Sequence, residues 1–398
     1  MRILRKAPTP ILISDPRPRR RKTVMTQDAY IAGYVRTPFT FARKGPLADI
    51  RPDDLGAHVI RALVKKTGIA GEQIEDVIWG CAFPEAEQGL NMGRTAGMLA
   101  GLPHSVAGAT INRWCGSSIQ AVQMAAGMMA MNAGEAFIAG GTESMSRVPM
   151  MGFNNMPHPS WSRQDVDDYI NVGLTAERIA REHNVSRAQQ DLFAFESHSK
   201  AMAAQKAGRL AAEIVPFGDV ANDGCVRETS LEKLATLRTV FLEGGSVTAG
   251  SSSPMTDGAT AVLVASAPFC NSHNLTPLAR IVSFAVSGCA PGVMGLGPIE
   301  SSRKALKRAG LTINDIDIVE MNEAFAAQAE ACRRALEIDP AMLNIDGGAI
   351  ALGHPLGATG TRLVGKAAML LKREAKQRAL VTQCIGGGMG IAMVLEAA

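Results

Sequence analysis

From Ala29 onward, short apolar runs alternate with amphipathic stretches of helical period, as strands alternating with helices require. The run Tyr30–Val35 predicts the first strand, and Pro52–Lys66 predicts a helix that ends at Gly68. Strands are expected at Ile74–Cys81, Val106–Ile111 and Ala136–Gly140, with a helix at Asn91–Ala100 between the first two. Before the last of these strands comes NRWCGSSIQAVQMAAGMM, residues 112–129. From Ile119 to Met131 its only polar residues are Gln120 and Gln123, with a break-tolerant Gly127. A helix that is apolar nearly all round is a buried one. Ser117 and Ser118 suit its N-cap or first turn, which places Cys115 at the helix N-terminus.

The pattern then repeats. RALVKKTGIAGEQIEDVI at 61–78 aligns without gaps on KALKRAGLTINDIDIV at 304–319 with an offset of 242, Gly68 on Gly310 and Val77 on Val319. AFIAGG at 136–141 meets ALVTQC at 379–384 with an offset of 243. Two matches at nearly one offset, in the same element order, indicate a duplicated α/β unit. In that register Cys115 falls opposite residues 357–358 and Cys384 opposite Gly141. Residues 145–255 break the rhythm. They hold a polar loop, MMGFNNMPHPSWSRQDVDD, then an amphipathic helix near Leu174–His183 and another that opens with the capping box Ser186-x-x-Gln189 and runs to Gly208. This segment reads as an inserted lid. The organisation expected is an arm at 1–24, a first half at 25–144 plus 256–276, the insert at 145–255, and a second half at 277–398.

Charge changes the picture at one end only. The net charge is +4, but residues 1–24 carry eight basic residues and Asp15, a net +7, which leaves −3 for the remainder. The body is therefore not a nucleic-acid-seeking domain. The arm has four prolines and a short apolar patch, Ile11 to Ile13, which fits neither a secretory nor an amphipathic transit segment. It reads as a disordered arm or as translation from an upstream start with Met25 opening the folded protein; contact with a membrane or nucleic acid is the lesser reading. No apolar run approaches the length of a membrane span. The seven cysteines are scattered, with no C-x-x-C pair, so neither a disulfide framework nor a structural zinc site is expected, and a reducing cytoplasmic setting fits.

Candidate chemistry gathers at four stretches. A thiol at a helix N-terminus loses its proton more easily than a free one, which makes Cys115 a candidate nucleophile. The competing reading is a small core residue. MNEAFAAQ at 321–328 puts Asn322 and Glu323 at a strand–helix junction, GGAIALGHPLGATG at 347–360 holds His354 in a glycine-rich loop, and QCIGGGMG at 383–390 sets Cys384 ahead of four glycines. His354 also reads as a core histidine and the glycines as turns. GGGMG lies too near the C-terminus for a βαβ nucleotide site to follow, and no P-loop occurs.

NRWCGSSIQA, TAGSSSPMTDGA (248–259), NEAFAA, GGAIALGHPLGATG and CIGGGMG stand in the order and spacing of the thiolases, and the resemblance runs from about residue 28 to the end. It implies an α/β fold of two duplicated halves stacked as five layers, αβαβα, with an inserted loop domain. It implies CoA-dependent cleavage of a 3-ketoacyl-CoA, with no bound cofactor and no metal. Cys115 would be the nucleophile, His354 its proton acceptor, Cys384 the acid and base at the departing and incoming groups, and Asn322 the holder of a water at the enolate oxygen. The N–H groups of Cys115 and Gly386 would meet the acyl oxygen. Ala249, Ser253 and Phe325 match positions that touch CoA in relatives, and His158 in the lid loop is a candidate substrate contact. The chain departs from common family patterns at Trp114, Ser118 and Ser251. The short insert, with VPMMGFNNMPHPS at 148–160, resembles the degradative 3-ketoacyl-CoA thiolases of bacterial β-oxidation. That implies a homodimer or a dimer of dimers, docked to a hydratase–dehydrogenase multifunctional partner. The alternatives are a short-chain acetyl-CoA acetyltransferase, a decarboxylating ketoacyl synthase and a non-catalytic lipid carrier of the same fold.

Overall fold

In the computed structural model, residues 27–154, 156, 158–160 and 171–398 are described; the arm at 1–24 and part of the lid loop lie outside them. The strands are β1 Ala29–Arg36, β2 Thr40–Phe41, β3 Asp76–Gly80, β4 Ala107–Ile111, β5 Ala136–Ser144, β6 Thr256–Ser266, β7 Ala279–Gly288, β8 Ile318–Met321, β9 Arg378–Ile385 and β10 Met389–Ala397. The helices are α1 Pro52–Thr67, α2 Met92–Leu99, α3 Ser117–Ala130, α4 Val172–Glu182, α5 Arg187–Lys206, α6 Leu231–Ala235, α7 Ala267–Ser272, α8 Gly297–Ala309, α9 Ala326–Ala335, α10 Ala349–Leu352 and α11 Leu356–Arg373.

The two halves use one topology twice. In the first half the strand order is β4-β3-β5-β6-β1, with β3 parallel to β4 and β5 and the remaining pairs antiparallel. In the second it is β8-β9-β10-β7, with β8 parallel to β9 and the others antiparallel. The counterpart of β4 has shrunk to a single parallel bridge, Leu343 beside Val319. The strands of the two halves pair with each other at β1 and β7, at Tyr30–Arg280 and Ile31–Ala279. The repeat extends to the helix stops: α1 and α8 both end at a left-handed glycine, Gly68 and Gly310, each at φ +70. Glycine takes this conformation without the Cβ penalty.

Three slabs of apolar packing show why the strands bury both faces. Ile119, Val122 and Met129 of α3 and Leu363, Val364 and Ala367 of α11 share one core with Phe137 and Val264 from the first half and Val381 and Met393 from the second. Leu55, Val59 and Leu63 of α1 cover the far face of the first half on Trp79 and Leu263. Leu306 of α8 and Cys332 of α9 cover the far face of the second on Val319 and Val394. The order is therefore helix, sheet, helix, sheet, helix. β5 runs on to Ser144, past the expected Gly140, because its C-terminal residues stay paired with β6 as far as Asp257. The chain leaves the sheet there and returns at β6. The capping box of α5 forms as read, with Ser186 and Gln189 each accepting from the other's backbone N–H.

Candidate active site

α3 and α11 meet head to head at the centre of the molecule, close enough that a Cβ on Gly360 would strike the backbone of Ile119. Thr361 N donates to Ser118 Oγ across this contact at 2.9 Å. The loops that lead into the two helices are thereby brought side by side. One carries Cys115, the other His354.

Cys115 is not on α3 itself. It occupies a single 3₁₀ turn, Trp114–Gly116, with Gly116 as the N-cap of α3. Trp114 adopts φ +43, the left-handed region that non-glycine residues avoid. Ser117 secures the turn: its Oγ donates to Trp114 O at 2.5 Å and accepts from Arg113 N at 2.9 Å. Gln383 Nε2 donates to the Cys115 carbonyl at 2.7 Å, so β9 of the second half holds the turn. Cys384 follows on that strand. A Cβ on Gly386 would sit 3.1 Å from the Trp114 ring, so the chain passes closely beneath the indole.

Cys115, His354, Cys384 and Gly386 line one cavity of about 320 Å³. Its other walls are apolar: Phe83, Trp114, Phe241, Phe325, Leu356 and five methionines, Met145, Met150, Met151, Met255 and Met294. Ser253 also lines it. Asn322 lies behind His354, with Nδ2 at 3.3 Å from His354 Nε2, and its Oδ1 is buried with no partner among the described residues. His354 Nδ1 faces Thr359 Oγ at 2.7 Å, and that hydroxyl donates to Pro355 O at 3.1 Å. The hydroxyl's one proton is thus committed, so Nδ1 carries a hydrogen and Nε2 presents its lone pair. Ala249 is exposed and outside the cavity wall, and His158 is exposed with its Nδ1 against Ser160 Oγ in its own loop.

The electrostatics reverse one expectation from sequence. Burial at the cavity floor pushes the Cys115 thiol up to about 11, although the N–H groups of Gly386 and of Cys115 itself point at the sulfur and pull the other way. Desolvation outweighs the helix-terminal field here. Burial likewise holds Cys384 well above the ordinary thiol range, with Cys115 adding to the effect. His354 is lowered to about 3 by burial and then by the Arg362 guanidinium. The resting site thus carries two thiols and a neutral imidazole.

Three residues that pattern reading passed over support these groups: Thr359, Gln383 and Glu143. Thr359 sits one turn into the helix after His354, and a hydroxyl so near could have been noticed. The other two act across the halves and left no local signal. Glu323, by contrast, is structural. Burial raises it, and it accepts from Ser197 Oγ, Asn344 Nδ2 and Ile350 N, tying α5 and α10 to the loop after β8. Among the described residues no cluster of His, Cys, Asp or Glu could hold a metal ion, and no helix is long and apolar enough to cross a membrane.

A duplicated half, each with its own buried helix leading away from one shared thiol cavity, is the architecture of an acyl-transferring class of enzymes, and comparison with known proteins identifies it. The thiolase N-terminal domain matches residues 29–268 and the thiolase C-terminal domain residues 275–397. The chain is 45% identical over 388 residues to a 3-ketoacyl-CoA thiolase of Bacillus subtilis, covering 93% of this chain and 99% of that one. It is 43% identical over 386 residues to a 3-ketoacyl-CoA thiolase of Escherichia coli, with the same coverage. The crystal structure of human mitochondrial 3-ketoacyl-CoA thiolase in complex with CoA superposes with a TM-score of 0.87 at 36% identity, over 94% of this chain and 98% of that one. The chain belongs to the thiolase family, and it is an acyltransferase.

Proposed function

We propose that this protein is a 3-ketoacyl-CoA thiolase that cleaves 3-ketoacyl-CoA with CoA, giving acetyl-CoA and a shortened acyl-CoA. The observation that carries the reading is the convergence of Cys115, His354 and Cys384 on one apolar cavity, with the N–H groups of Gly386 and Cys115 aimed at the nucleophilic sulfur. With both partners neutral at rest, the Cys115 proton moves to His354 Nε2 as the sulfur attacks the 3-keto carbon. The bond between the α and β carbons breaks, and its electron pair leaves as the enolate of acetyl-CoA. His354, now protonated, and a water on the free Oδ1 side of Asn322 face the enolate oxygen. Cys384, kept protonated by burial, gives its proton to the enolate carbon. The acyl group stays on Cys115, its oxygen toward the Gly386 and Cys115 N–H groups. Cys384 then takes the proton of the incoming CoA thiol, whose sulfur attacks the acyl carbon; the Cys115 sulfur leaves as a thiolate and takes its proton back from His354, restoring the resting site.

Ser253 and Phe325 are the wall residues assigned to the pantetheine arm of CoA. Ala249 and His158, both exposed, would meet substrate only outside the cavity. We take residues 145–255 as the lid and assign the protein to cytoplasmic fatty-acid β-oxidation. A hydratase–dehydrogenase subunit is its proposed partner. A homodimer is supported by β4, an edge strand whose residues are exposed or half-buried, with Leu90 nearby at 98% exposure and Met131 at 79%. Light scattering is expected to give twice the chain mass or four times it; a monomer would remove this part of the reading.

Methionine walls repack around apolar chains of different length, which favours broad chain-length use. The test is CoA-dependent cleavage of a series from acetoacetyl-CoA to long-chain 3-ketoacyl-CoA. Medium and long chains are expected to turn over at least as well as the shortest. Activity confined to acetoacetyl-CoA would make the protein a short-chain acetyltransferase, and no cleavage at any length would leave a lipid carrier.

A further inference from the structure

Glu143 is buried in β5, and each of its oxygens is engaged. Oε2 accepts from Ala82 N at 2.8 Å and from Gly357 N at 2.9 Å. Oε1 accepts from Gln88 Nε2 at 2.7 Å and Phe83 N at 3.3 Å. The Cys81 thiol lies 3.9 Å from the same oxygen. Gln88 cannot turn its amide around, because its Oε1 already accepts from Ser144 N at 2.6 Å. Every neighbour is thus a donor. A protonated carboxyl would need an acceptor and finds none, so Glu143 stands as a carboxylate although burial pulls it toward the neutral form.

Its backbone partners belong to two different pieces of the molecule. Ala82 and Phe83 form the loop after β3, and Phe83 is a cavity wall. Gly357 is in the first turn of α11, three residues beyond His354, and its N–H is one of the groups a helix leaves unsatisfied at its start. Glu143 satisfies that N–H from the opposite half of the protein. It also lies near enough to Cys115 to raise the thiol.

We propose that Glu143 is a positioning residue of the reaction: as a buried anion it pins the first turn of α11 and the Phe83 loop together across the two halves, and so fixes the His354 imidazole relative to the Cys115 sulfur. This rests on the reading of Cys115 as nucleophile and His354 as its base. The titratable groups around the sulfur are His354 from the loop before α11, Cys384 from β9, and Glu143 from β5.

The test separates charge from reach. Glu143→Gln removes the charge and turns an amide N–H₂ toward donors; Glu143→Asp keeps the charge but is one methylene too short to hold Gly357. The measurements are kcat, KM, and the pH profile of Cys115 alkylation by iodoacetamide, with thermal unfolding alongside. Glu143→Gln is expected to lower kcat by about 100-fold, as a misplacement of the catalytic groups by about 1 Å does, with KM within about threefold on the same grounds. Its alkylation midpoint is expected to move to lower pH because a neighbouring negative charge is gone. Glu143→Asp is expected to lose kcat by about tenfold or more, again through misplacement, with the midpoint unmoved. Unchanged kcat in both variants overturns the proposal. So does a loss of activity that follows the loss of folded protein while the midpoint stays where it was. If Glu143→Gln does not fold, Glu143→Asp decides by kcat per folded molecule: a loss of about tenfold or more supports the proposal, and an unchanged value overturns it. In the wild type, alkylation at Cys115 must abolish turnover; an enzyme that stays active with Cys115 alkylated would fail the nucleophile assignment and leave Glu143 out of the matter.

Discussion

Cys115→Ala is expected to reduce CoA-dependent cleavage to background, a loss on the order of 10⁴-fold or more, the scale seen when a covalent nucleophile is removed. The fold should not suffer. Cys115 packs at the edge of a small cluster of Ala42, Ala82, Met145 and Leu356, and the turn that holds it depends on Ser117 and Gln383, which the substitution leaves in place. Its backbone N–H also remains, so the site keeps most of its substrate contacts and loses only the atom that forms the bond. The sharpest check is mass spectrometry of enzyme mixed with 3-ketoacyl-CoA in the absence of free CoA. Wild type should gain the mass of the shortened acyl group on the peptide containing Cys115, and the variant should gain nothing. Cleavage by the alanine variant at a tenth of the wild-type rate would move the nucleophile elsewhere, with Cys384 the next thiol to examine.

Asn322→Ala should cost less and show a different signature. The side chain touches His354 through Nδ2 and offers an unpaired Oδ1 beside it. Both act on charge that develops as the enolate forms, so the loss falls on the transition state and not on binding. Removing one fixed donor of this kind costs about 3 kcal/mol, roughly 100-fold in kcat. KM should stay near the wild-type value. A near-wild-type kcat would remove Asn322 from the reaction and leave it a packing residue.

Much of this site was legible before any coordinates. The four motif stretches sit where they were placed, on loops entering or leaving strands and helices, because their signals are local: glycines at turns, a strand ending at Cys384, a helix beginning after Cys115. The repeat was legible for the same reason, and Gly68 and Gly310 report it in a single dihedral angle. Burial by distant chain was not legible. The ease of ionising Cys115 was judged from its own helix terminus, whereas its thiol is set by β9, by Gly386 and by desolvation between the halves. Glu143 and Gln383 escaped notice because their partners lie 214 and 268 residues away along the chain.

The internal repeat has one further meaning. The positions opposite Cys115 and Cys384 are Gly357 and Gly141, and these two glycines meet: a Cβ on Gly141 would run into the Gly357 carbonyl oxygen. The duplicated layout therefore holds, opposite the thiol pair, an equivalent place where Gly141 and Gly357 face each other. One side kept its thiols and an opening to the outside. The equivalent place is filled by backbone, with the Glu143 carboxylate beside it on Gly357 N. Two identical subunits could never have made that division, because whatever one side carried the other would have carried as well. A single chain carries each half once, so one side can hold the thiols while the other is closed by backbone.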